Sequence, residues 1–300
     1  ATTEIYTLSL HDALPIFNKE VYLDDYRYAA LKNLTRARFF AVQNLTREKQ
    51  RFMNHLFKKY STMAQEKVFS DTFSTTALAV YESFESAEAL ANMDLHQLTE
   101  FIIEKGKKRF PDPDSVAKAI QKAARSSYRL PKTVNDSVNQ VLSISISSMR
   151  AMESQMKAFD KAIAEQMALI PNTLTSVKGI GPVYSAGIIA EIGDINRFPT
   201  QASLAKYAGL VWSQHQSGDF EAQNTRMIHS GNRYLKYYLC EAALSLVRCD
   251  AEYRSFYHRK YKEVNKYQHK RALALTARKL VRLVFRLLKD NCLYRAPESK

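Results

Sequence analysis

The scarcity of residues that interrupt helices is the feature that most limits what this chain can fold into. Only eight Gly and eight Pro occur among its 300 residues. Ala, Leu, Lys, Arg and Glu, which favour helices, fill much of the rest. We therefore predict an all-α or mostly α fold. The length allows two modest domains, or one domain with long helical arms.

Two long amphipathic runs dominate the first half of the chain. They cover residues 24 to about 60 and 134 to about 169, with apolar residues at steps of three and four. Asp24 and Asp25 suit the N-cap and first turn of the first run. The runs have similar lengths, so we predict a long antiparallel helical hairpin, a coiled-coil arm in which each helix buries the apolar stripe of the other.

The remaining segments complete the predicted domain organisation. Residues 1–16 look unlike the rest, and residues 9–16 resemble translated sequencing-adapter sequence, so we expect a non-native leader. Residues 17–169 form the coiled-coil linker, with a helical insert at about 61–133 that serves packing. Ser70, Ser74 and Asp94 are predicted helix starts in this insert, and another helix is expected to begin near Asp114 or Ser115. Residues 170–300 form a compact helical domain.

A glycine-rich turn opens this last domain. Residues 174–177, the turn Gly179-Ile180-Gly181 and residues 182–192 have the layout of a helix-hairpin-helix. Two glycines allow positive φ and close backbone approach, and Pro182 suits a first helical turn. Backbone N–H groups at the following helix start would bind a phosphate. Lys178, Gly179, Ile180 and Gly181 are thus candidate DNA contacts, although a plain turn with glycine as C-cap fits the same spacing.

Positive charge is concentrated near the C-terminus. The formal net charge is +14, and residues 223–300 contain 18 Lys and Arg against 6 Asp and Glu. Such an excess attracts polyanions, although a well-solvated surface has the same composition. Arg233 and Lys236 follow a helix start predicted at Asn232. In the last predicted helix, residues 269–290, Arg278 and Arg282 share one side with two further arginines. A solvated bundle helix, a calmodulin target or a membrane-surface helix fits this last pattern too.

The cysteines and the hydropathy pattern bear on the cellular compartment. Cys240, Cys249 and Cys292 have no metal-type spacing, and free thiols suit a reducing compartment. No apolar run approaches the roughly 18 residues that span a bilayer, and no secretory signal is apparent. The expected location is the cytoplasm, without a membrane partner.

The segment 213–225 is predicted to be an irregular loop. It contains Ser217, and a serine in a loop is ordinarily a turn former. His215 lies two residues away, but proximity in sequence does not establish a general base.

Taken together, these motifs resemble a known family. Residues 174–194, Arg197-Phe198, residues 204–210, Gln216-Ser217-Gly218 and residues 231–235 are similar to the C-terminal domain of bacterial insertion-sequence transposases of the DEDD/serine, bridge-RNA-guided type, the IS one-ten family. The resemblance covers residues 17–294. It implies a RuvC-like domain whose four acidic residues bind Mg²⁺, and a serine nucleophile that forms a covalent phosphoserine link with DNA.

The resemblance also implies residue roles and partners. Ser217, before Gly218, matches the family's catalytic nucleophile, and Gly218 would contact DNA. DNA, a guide (bridge) RNA and further copies of the chain, joined through the helical arms, are the implied partners. A place at the bacterial nucleoid follows from DNA binding.

The sequence departs from the family pattern at its beginning. The acidic tetrad is expected before the first arm, where only about 16 foreign-looking residues precede Phe17, and Asp24 and Asp25 come too late to belong to it. We expect that the metal ligands are absent from this chain and that it cannot cleave DNA alone. Two alternatives remain: a non-catalytic DNA-binding module using the helix-hairpin-helix and basic tail, and a membrane-surface protein using the last helix.

Overall fold

A computed structural model describes residues 25–66, 68–107, 109–212, 216–217, 220–221, 227–228 and 230–295. The prediction of a mostly α fold is confirmed, because helices make up most of these residues. The predicted leader, residues 1–16, lies outside them. The α-helices in chain order are α1 (Tyr26–Lys59), α2 (Ser61–Glu66), α3 (Thr75–Ser83), α4 (Ala87–Asn92), α5 (Leu95–Gly106), α6 (Pro113–Arg125), α7 (Lys132–Met167), α8 (Pro182–Ile192), α9 (Gln201–Tyr207), α10 (Arg233–Cys249), α11 (Ala251–Lys262) and α12 (Gln268–Lys289).

The chain divides into two compact units. Unit 1 comprises Ala1–Ala37 and Phe159–Lys300, and unit 2 comprises Arg38–Ala158. Both divisions fall inside the long helices α1 and α7, which have 34 and 36 residues. The two helices therefore contribute to the core of each unit. Their coiled-coil pairing and the predicted domain boundary at residues 169 and 170 stay predictions.

Unit 2 is a helical insert packed on parts of α1 and α7. Its core is apolar and includes Phe52, Leu56, Leu98, Ile102, Ile120 and Leu142. The predicted helix starts at Ser74 and Asp94 are confirmed, since each side chain accepts a hydrogen bond from the first helical turn. The start predicted at Ser70 is wrong. The start predicted at residues 114–115 is also displaced, because Asp112 is the N-cap and Pro113 occupies the first helical position.

Unit 1 is built around the antiparallel pair α8 and α10. Gly179, just before α8, contacts Leu246 near the end of α10, and Gly187 in mid-helix contacts Tyr238. A Cβ at Gly187 would come within 2.4 Å of the Tyr238 ring, so the close crossing of the two helices requires glycine. The face of α10 predicted to be buried is confirmed at Leu235, Tyr238, Leu239, Ala242 and Leu246, whereas Val247 is half-buried.

Helix α12 completes the core of unit 1. Leu280 and Val284 are fully buried and Leu287 nearly so. The apolar stripe that could have lain on a membrane therefore faces the protein core, which removes the basis of the membrane-surface alternative. Within the described residues no helix has both the length and the apolar character to cross a bilayer.

A small hairpin interrupts the helical architecture between α9 and α10. Strands β1 (Gln216–Ser217) and β2 (Phe220–Glu221) pair antiparallel, with Ser217 opposite Phe220. A bridge between Trp212 and Met227 lies closer to the helices. The prediction of an irregular loop was thus wrong at these residues.

Candidate nucleic-acid interface

The turn before α8 is held in place by Gly179. Its φ is +110°, which favours glycine, and a Cβ there would lie 3.2 Å from Leu246 Cδ2 and 3.3 Å from the Cys249 Cβ. The Ile180 N–H donates to the Val177 carbonyl at 2.9 Å and closes the turn. Ile180 itself is buried in the core of unit 1, so only its backbone can contact a ligand. Lys178 is exposed beside it.

Gly181 differs from Gly179, because only Gly179 of the two glycines in this turn has a positive φ. Gly181 has φ −72° and ψ 170°, the extended conformation that a following proline imposes. It is the N-cap of α8, and its carbonyl accepts from the Ser185 N–H at 3.0 Å. Nothing lies within 4 Å of the position that a Cβ would occupy. The fold therefore does not require glycine here, although the space in front of the helix start is left open.

The first element of the predicted helix-hairpin-helix is shorter than an α-helix. Residues Leu174–Ser176 form a single 3-10 turn, followed by the Gly179 turn and α8. Thr173 donates its hydroxyl hydrogen to the Leu287 carbonyl of α12 at 3.1 Å and so attaches this turn to the last helix. The assignment as a helix-hairpin-helix stays a prediction.

A polar network joins the other end of the α8–α10 pair to α1. Glu191 of α8 is fully buried and forms a bidentate ion pair with Arg36, at 2.7 Å to Nε and 2.8 Å to Nη2. Asn232 Nδ2 donates to the same carboxylate at 2.7 Å and lies 3.0 Å from the Tyr207 hydroxyl oxygen. Asn232 Oδ1 also accepts from the N–H groups of Tyr234 and Leu235, which fixes the start of α10.

A shallow basic pocket lies over this network. It is lined by Arg36, Tyr207 and residues 231–234. The Tyr234 ring has the Arg36 guanidinium 4.4 Å and the Arg233 guanidinium 4.7 Å from its centroid. Arg233, a predicted DNA contact, is exposed and Lys236 is half-buried one turn further along α10. Arg36 is already paired with Glu191, so Arg233 contributes most of the positive charge here. Guanidinium groups held against an aromatic ring form a surface suited to an unstacked base or a phosphate.

Two glycines in close contact, Gly209 and Gly231, hold together the ends of the segment 210–230, which contains Ser217. Gly209 and Gly231 have φ of +68° and +125°, and a Cβ at Gly231 would lie 2.5 Å from the Gly209 nitrogen. The Asn232 N–H donates to the Tyr207 carbonyl at 2.7 Å beside them. The hairpin therefore starts and ends at one point, next to the basic pocket. The backbone of Ser217 lies in β1, whereas its side chain and the whole of Gly218 lie outside the described residues.

Only some of the arginines predicted on one side of α12 remain available to bind an external anion. Arg271 pairs with Glu263 at 2.9 Å, and Arg286 lies 3.7 Å from Asp290. Arg278 and Arg282 make no ion pair with any carboxylate in the described part of the chain. Partial burial, and then the neighbouring Arg282, lower the pKa of Arg278. A bound anion would therefore reduce the charge repulsion between these two arginines, which makes them the best candidates on α12 for a phosphate contact.

The structure divides the predicted contacts into separate groups within unit 1. Gly179 lies against Leu246 near the end of α10, whereas Arg233 begins that helix. Leu246 lies thirteen positions after Arg233, which corresponds to about 20 Å along an α-helix. The turn at Gly179–Gly181 and the pocket at Arg233 therefore form two distinct anion-facing surfaces at opposite ends of α10.

Sequence reasoning missed the central residues of the second surface. Neither Arg36 nor Glu191 was among the candidate residues that the sequence indicated. One signal was available: Glu191 is the only charged residue in the eleven-residue helix Pro182–Ile192. A charged residue within an otherwise apolar helix requires a buried partner. The identity of that partner, 155 positions away, was not encoded locally.

The described residues do not form a metal site of the kind that the resemblance implies. No three His, Cys, Asp or Glu side chains among them come together in a way that could hold a metal ion. The buried carboxylate of Glu191 is occupied by Arg36 and Asn232.

The matched segment of a known family coincides with these surfaces. The profile of the transposase IS116/IS110/IS902 family matches residues 172–258, from the turn before α8 to within α11. This part of the chain is similar to the transposase domain of that family. The match contains the Gly179–Gly181 turn, Glu191, Ser217 and the start of α10, and it ends before α12.

Individual relatives support the same assignment. The chain is 32% identical over 151 residues to the 43.6 kDa protein of insertion element IS110 from Streptomyces coelicolor, covering 49% of this chain and 36% of the relative. It is 26% identical over 243 residues to the 44.8 kDa protein of insertion element IS116 from Streptomyces clavuligerus, covering 77% and 57%. A probable family 20 transposase from Pseudomonas aeruginosa is 35% identical over 78 residues, covering 26% and 23%. The chain thus spans between 23% and 57% of the length of these relatives.

Proposed function

We propose that this chain is the DNA-binding and serine-bearing part of an insertion-element transposase. The conformation of Gly181 is the observation that carries DNA binding. This glycine has a backbone that any residue could adopt and open space in front of it. A glycine that packing does not require, at the N-terminus of a helix in a transposase domain, is explained by the close approach of a ligand backbone.

The proposed contacts follow from charge and accessibility. The N–H groups of Gly181 and of the first turn of α8 would donate to one DNA phosphate, with the Lys178 ammonium beside it. Arg233 and Lys236, at the other end of α10, would contact a second part of the strand. Arg278 and Arg282 would supply further neutralisation from α12. The contacts are mostly to phosphates, so they set affinity and position rather than sequence preference.

Ser217 is proposed as the nucleophile. Its Oγ would attack a DNA phosphorus, forming an Oγ–P bond while one P–O ester bond to deoxyribose breaks. The hydroxyl proton passes to a base, and the departing sugar oxygen leaves as a hydroxyl after protonation. The Gly209–Gly231 contact supports this role, because it fixes the base of the hairpin next to the basic pocket. The described residues do not fit the Mg²⁺ site that the family resemblance implies, so no step is assigned to a metal.

DNA binding is tested by two substitutions at the α8 turn. Gly181→Ala should leave folding intact and weaken binding of duplex DNA about thirty-fold, because a Cβ would obstruct two phosphate hydrogen bonds of about 1 kcal/mol each. Lys178→Gln should weaken DNA binding. It should also lower the slope of the logarithm of the binding constant against the logarithm of salt concentration by about 1 in magnitude. Lys161→Gln on α7 removes the same charge from an exposed position of unit 1 and serves as the control. Unchanged affinity in both turn variants would exclude this surface.

The nucleophile is tested in protein expressed from the longest open reading frame that contains this sequence. Incubation with labelled DNA should give a covalent adduct on a denaturing gel, with the mass of a phosphodiester on the peptide containing Ser217. Ser217→Ala should abolish the adduct, and Ser213→Ala should retain it. An adduct that persists in Ser217→Ala would refute the assignment. DNA binding without an adduct in any variant would instead support the non-catalytic DNA-binding module.

Further partners and the location complete the proposal. Guide RNA binding is proposed from the family resemblance alone, as is a place in the bacterial cytoplasm at the nucleoid. Self-association through the arms has a structural support as well. Val141 and Ile144 of α7 are 39% and 60% exposed and follow Val134, which is 44% exposed, on one side of the helix. A long helix with a second apolar stripe left uncovered is suited to pairing with another copy.

A further inference from the structure

A basic cavity in unit 2 is unrelated to the surfaces described above. Its volume is about 290 Å³ and it lies between the start of α3 and the end of α5. Ser74, Thr75 and Thr76 line one wall, and Lys105, Lys107 and Arg109 line the other. All these residues belong to unit 2, so the cavity is independent of Ser217 and of the α8 turn.

Charge is segregated around this cavity. Residues 61–131 contain nine Lys and Arg and ten Asp and Glu, so the insert is close to neutral. Four of the nine cations nevertheless occur within five positions, at Lys105, Lys107, Lys108 and Arg109. None of the described residues that line the cavity carries a carboxylate. A nearly neutral insert therefore has one locally cationic concavity, which attracts anions.

The described residues of this cationic segment have defined backbone contacts. Lys107 ends α5 with φ +50° and ψ +43°, a left-handed conformation that is uncommon for lysine. The Arg109 N–H donates to the Gly106 carbonyl at 3.1 Å. The Phe110 ring packs on Gly106 so closely that a Cβ there would lie 2.7 Å from it. Cations on such a turn lose less freedom on binding than cations on a flexible tail.

The cations of this segment differ in availability. The Lys105 ammonium lies 2.7 Å from Glu104 and is already neutralised. Lys107 and Arg109 make no ion pair with any other residue that the structure describes. The Thr76 hydroxyl donates to the Lys105 carbonyl at 3.4 Å and joins the two walls. Thr75 is exposed beside it. Two free cations and a neighbouring hydroxyl provide several donors to one small anion.

We propose that this cavity binds a phosphate group through Lys107, Arg109 and Thr75. A tetrahedral oxyanion has enough acceptor oxygens for two cations and a hydroxyl converging from opposite walls, whereas a single carboxylate presents only two oxygens in a plane. The phosphate belongs either to a nucleic-acid strand or to a free phosphate ion. The proposal gives the insert a ligand of its own, separate from the DNA contacts of unit 1.

The test uses the full chain and a double variant designed to preserve the fold. Lys107→Gly removes the ammonium and suits the left-handed backbone, and it is combined with Arg109→Gln. The control, Lys118→Gln with Lys122→Gln, removes the same charge from exposed positions on α6 of the same unit. Affinities for labelled duplex DNA and single-stranded RNA are measured over a series of KCl concentrations. In parallel, inorganic phosphate is titrated while the amide resonances of Thr75 and Thr76 are followed by NMR.

The two sources of phosphate predict different outcomes. If a strand supplies it, the cavity variant lowers the salt slope of nucleic-acid binding by about 1 and the control does not. If free phosphate is the ligand, inorganic phosphate shifts the Thr75 and Thr76 amides saturably in the wild type and not in the cavity variant, with nucleic-acid affinity unchanged. Equal losses in the cavity variant and the control, or no response in either experiment, would overturn the proposal. The Gly181→Ala variant tests DNA binding at the α8 turn of unit 1, so failure of that proposal can be distinguished from failure of this one.

Discussion

Arg36 of α1 and Glu191 of α8 form a bidentate ion pair in which the carboxylate is entirely buried. The hydrogen bond to Glu191 raises the pKa of Arg36. The pair attaches the first long helix to the helix pair that carries the family match. Because Asn232 donates to the same carboxylate, this one interaction also orients the start of α10.

Removing the cation of this pair should be costly. Arg36→Gln leaves Glu191 buried without its counter-charge, and we expect a loss of about 2–4 kcal/mol in the free energy of unfolding. Replacing both residues with Met should recover most of the loss, since Asn232 keeps the Tyr207 hydroxyl as a partner. Urea denaturation followed by circular dichroism measures both. A loss below about 0.5 kcal/mol for Arg36→Gln, the size typical of a surface position, would contradict the structural role.

The two glycines of the α8 turn should respond differently to the same substitution. Gly181→Ala is expected to change the free energy of unfolding by less than about 0.5 kcal/mol, because alanine restricts the unfolded chain and fits the native φ and ψ but is a poorer N-cap than glycine. Gly179→Ala should destabilise the fold by about 1–2 kcal/mol, since its φ of +110° and the nearby Leu246 both exclude a Cβ. Thermal unfolding of the two variants checks the difference. Equal effects would show that the turn conformation is not as described.

Local signals account for what the sequence predicted correctly. Asn232 was recognised as a helix start because capping depends on a few neighbouring residues, and its side chain accepts hydrogen bonds from the N–H groups of Tyr234 and Leu235. The long helices were evident from uninterrupted periodicity. The observed ends of α12, Gln268 and Lys289, differ from the predicted ones by one residue each.

What the sequence did not predict depends on contacts between distant positions. Nothing near Arg36 indicates Glu191, and the roles of Gly179 and Gly181 differ only because Leu246 lies behind one of them and proline follows the other. The hairpin at Ser217 has only two residues in each strand, too few for a periodic signal. The Gly218-Asp219 pair between the strands, a common hairpin turn sequence, was the one indication of it.

Lys59 should give unit 2 a distinctive dependence on pH. Its side chain is almost fully buried and donates to the Tyr81 carbonyl at 2.9 Å. Burial lowers its pKa from 10.5 to about 8, opposed by the charge of Glu85. Between these two values the unfolded chain binds a proton that the folded protein lacks, so stability rises with pH. The gain from pH 7 to 10 should be about 2–3 kcal/mol.

The measurement is urea denaturation over this pH range, with Lys59→Met as the comparison. The variant should be more stable at pH 7 and should lack the increase. Tyr60 and Tyr81 act in the opposite direction near pH 10, because burial raises the pKa of both and the unfolded chain releases their protons first. The comparison with Lys59→Met removes this shared contribution. An increase of the same size in Lys59→Met would show that another group is responsible.

The exposed apolar stripe of α7 provides the last prediction, on self-association. Val134, Val141 and Ile144 adjoin the buried face of the helix within unit 2, and exposed apolar residues at this spacing are typical of a helix–helix contact. Ile144→Lys should place a charge in that contact and raise the dissociation constant at least about ten-fold. Ser143→Lys adds the same charge at an exposed position about 100° around α7 from Ile144, outside the stripe, and should leave association unchanged. Sedimentation equilibrium distinguishes the outcomes, and a wild-type chain that remains monomeric, or equal behaviour of the two variants, would exclude pairing through this stripe.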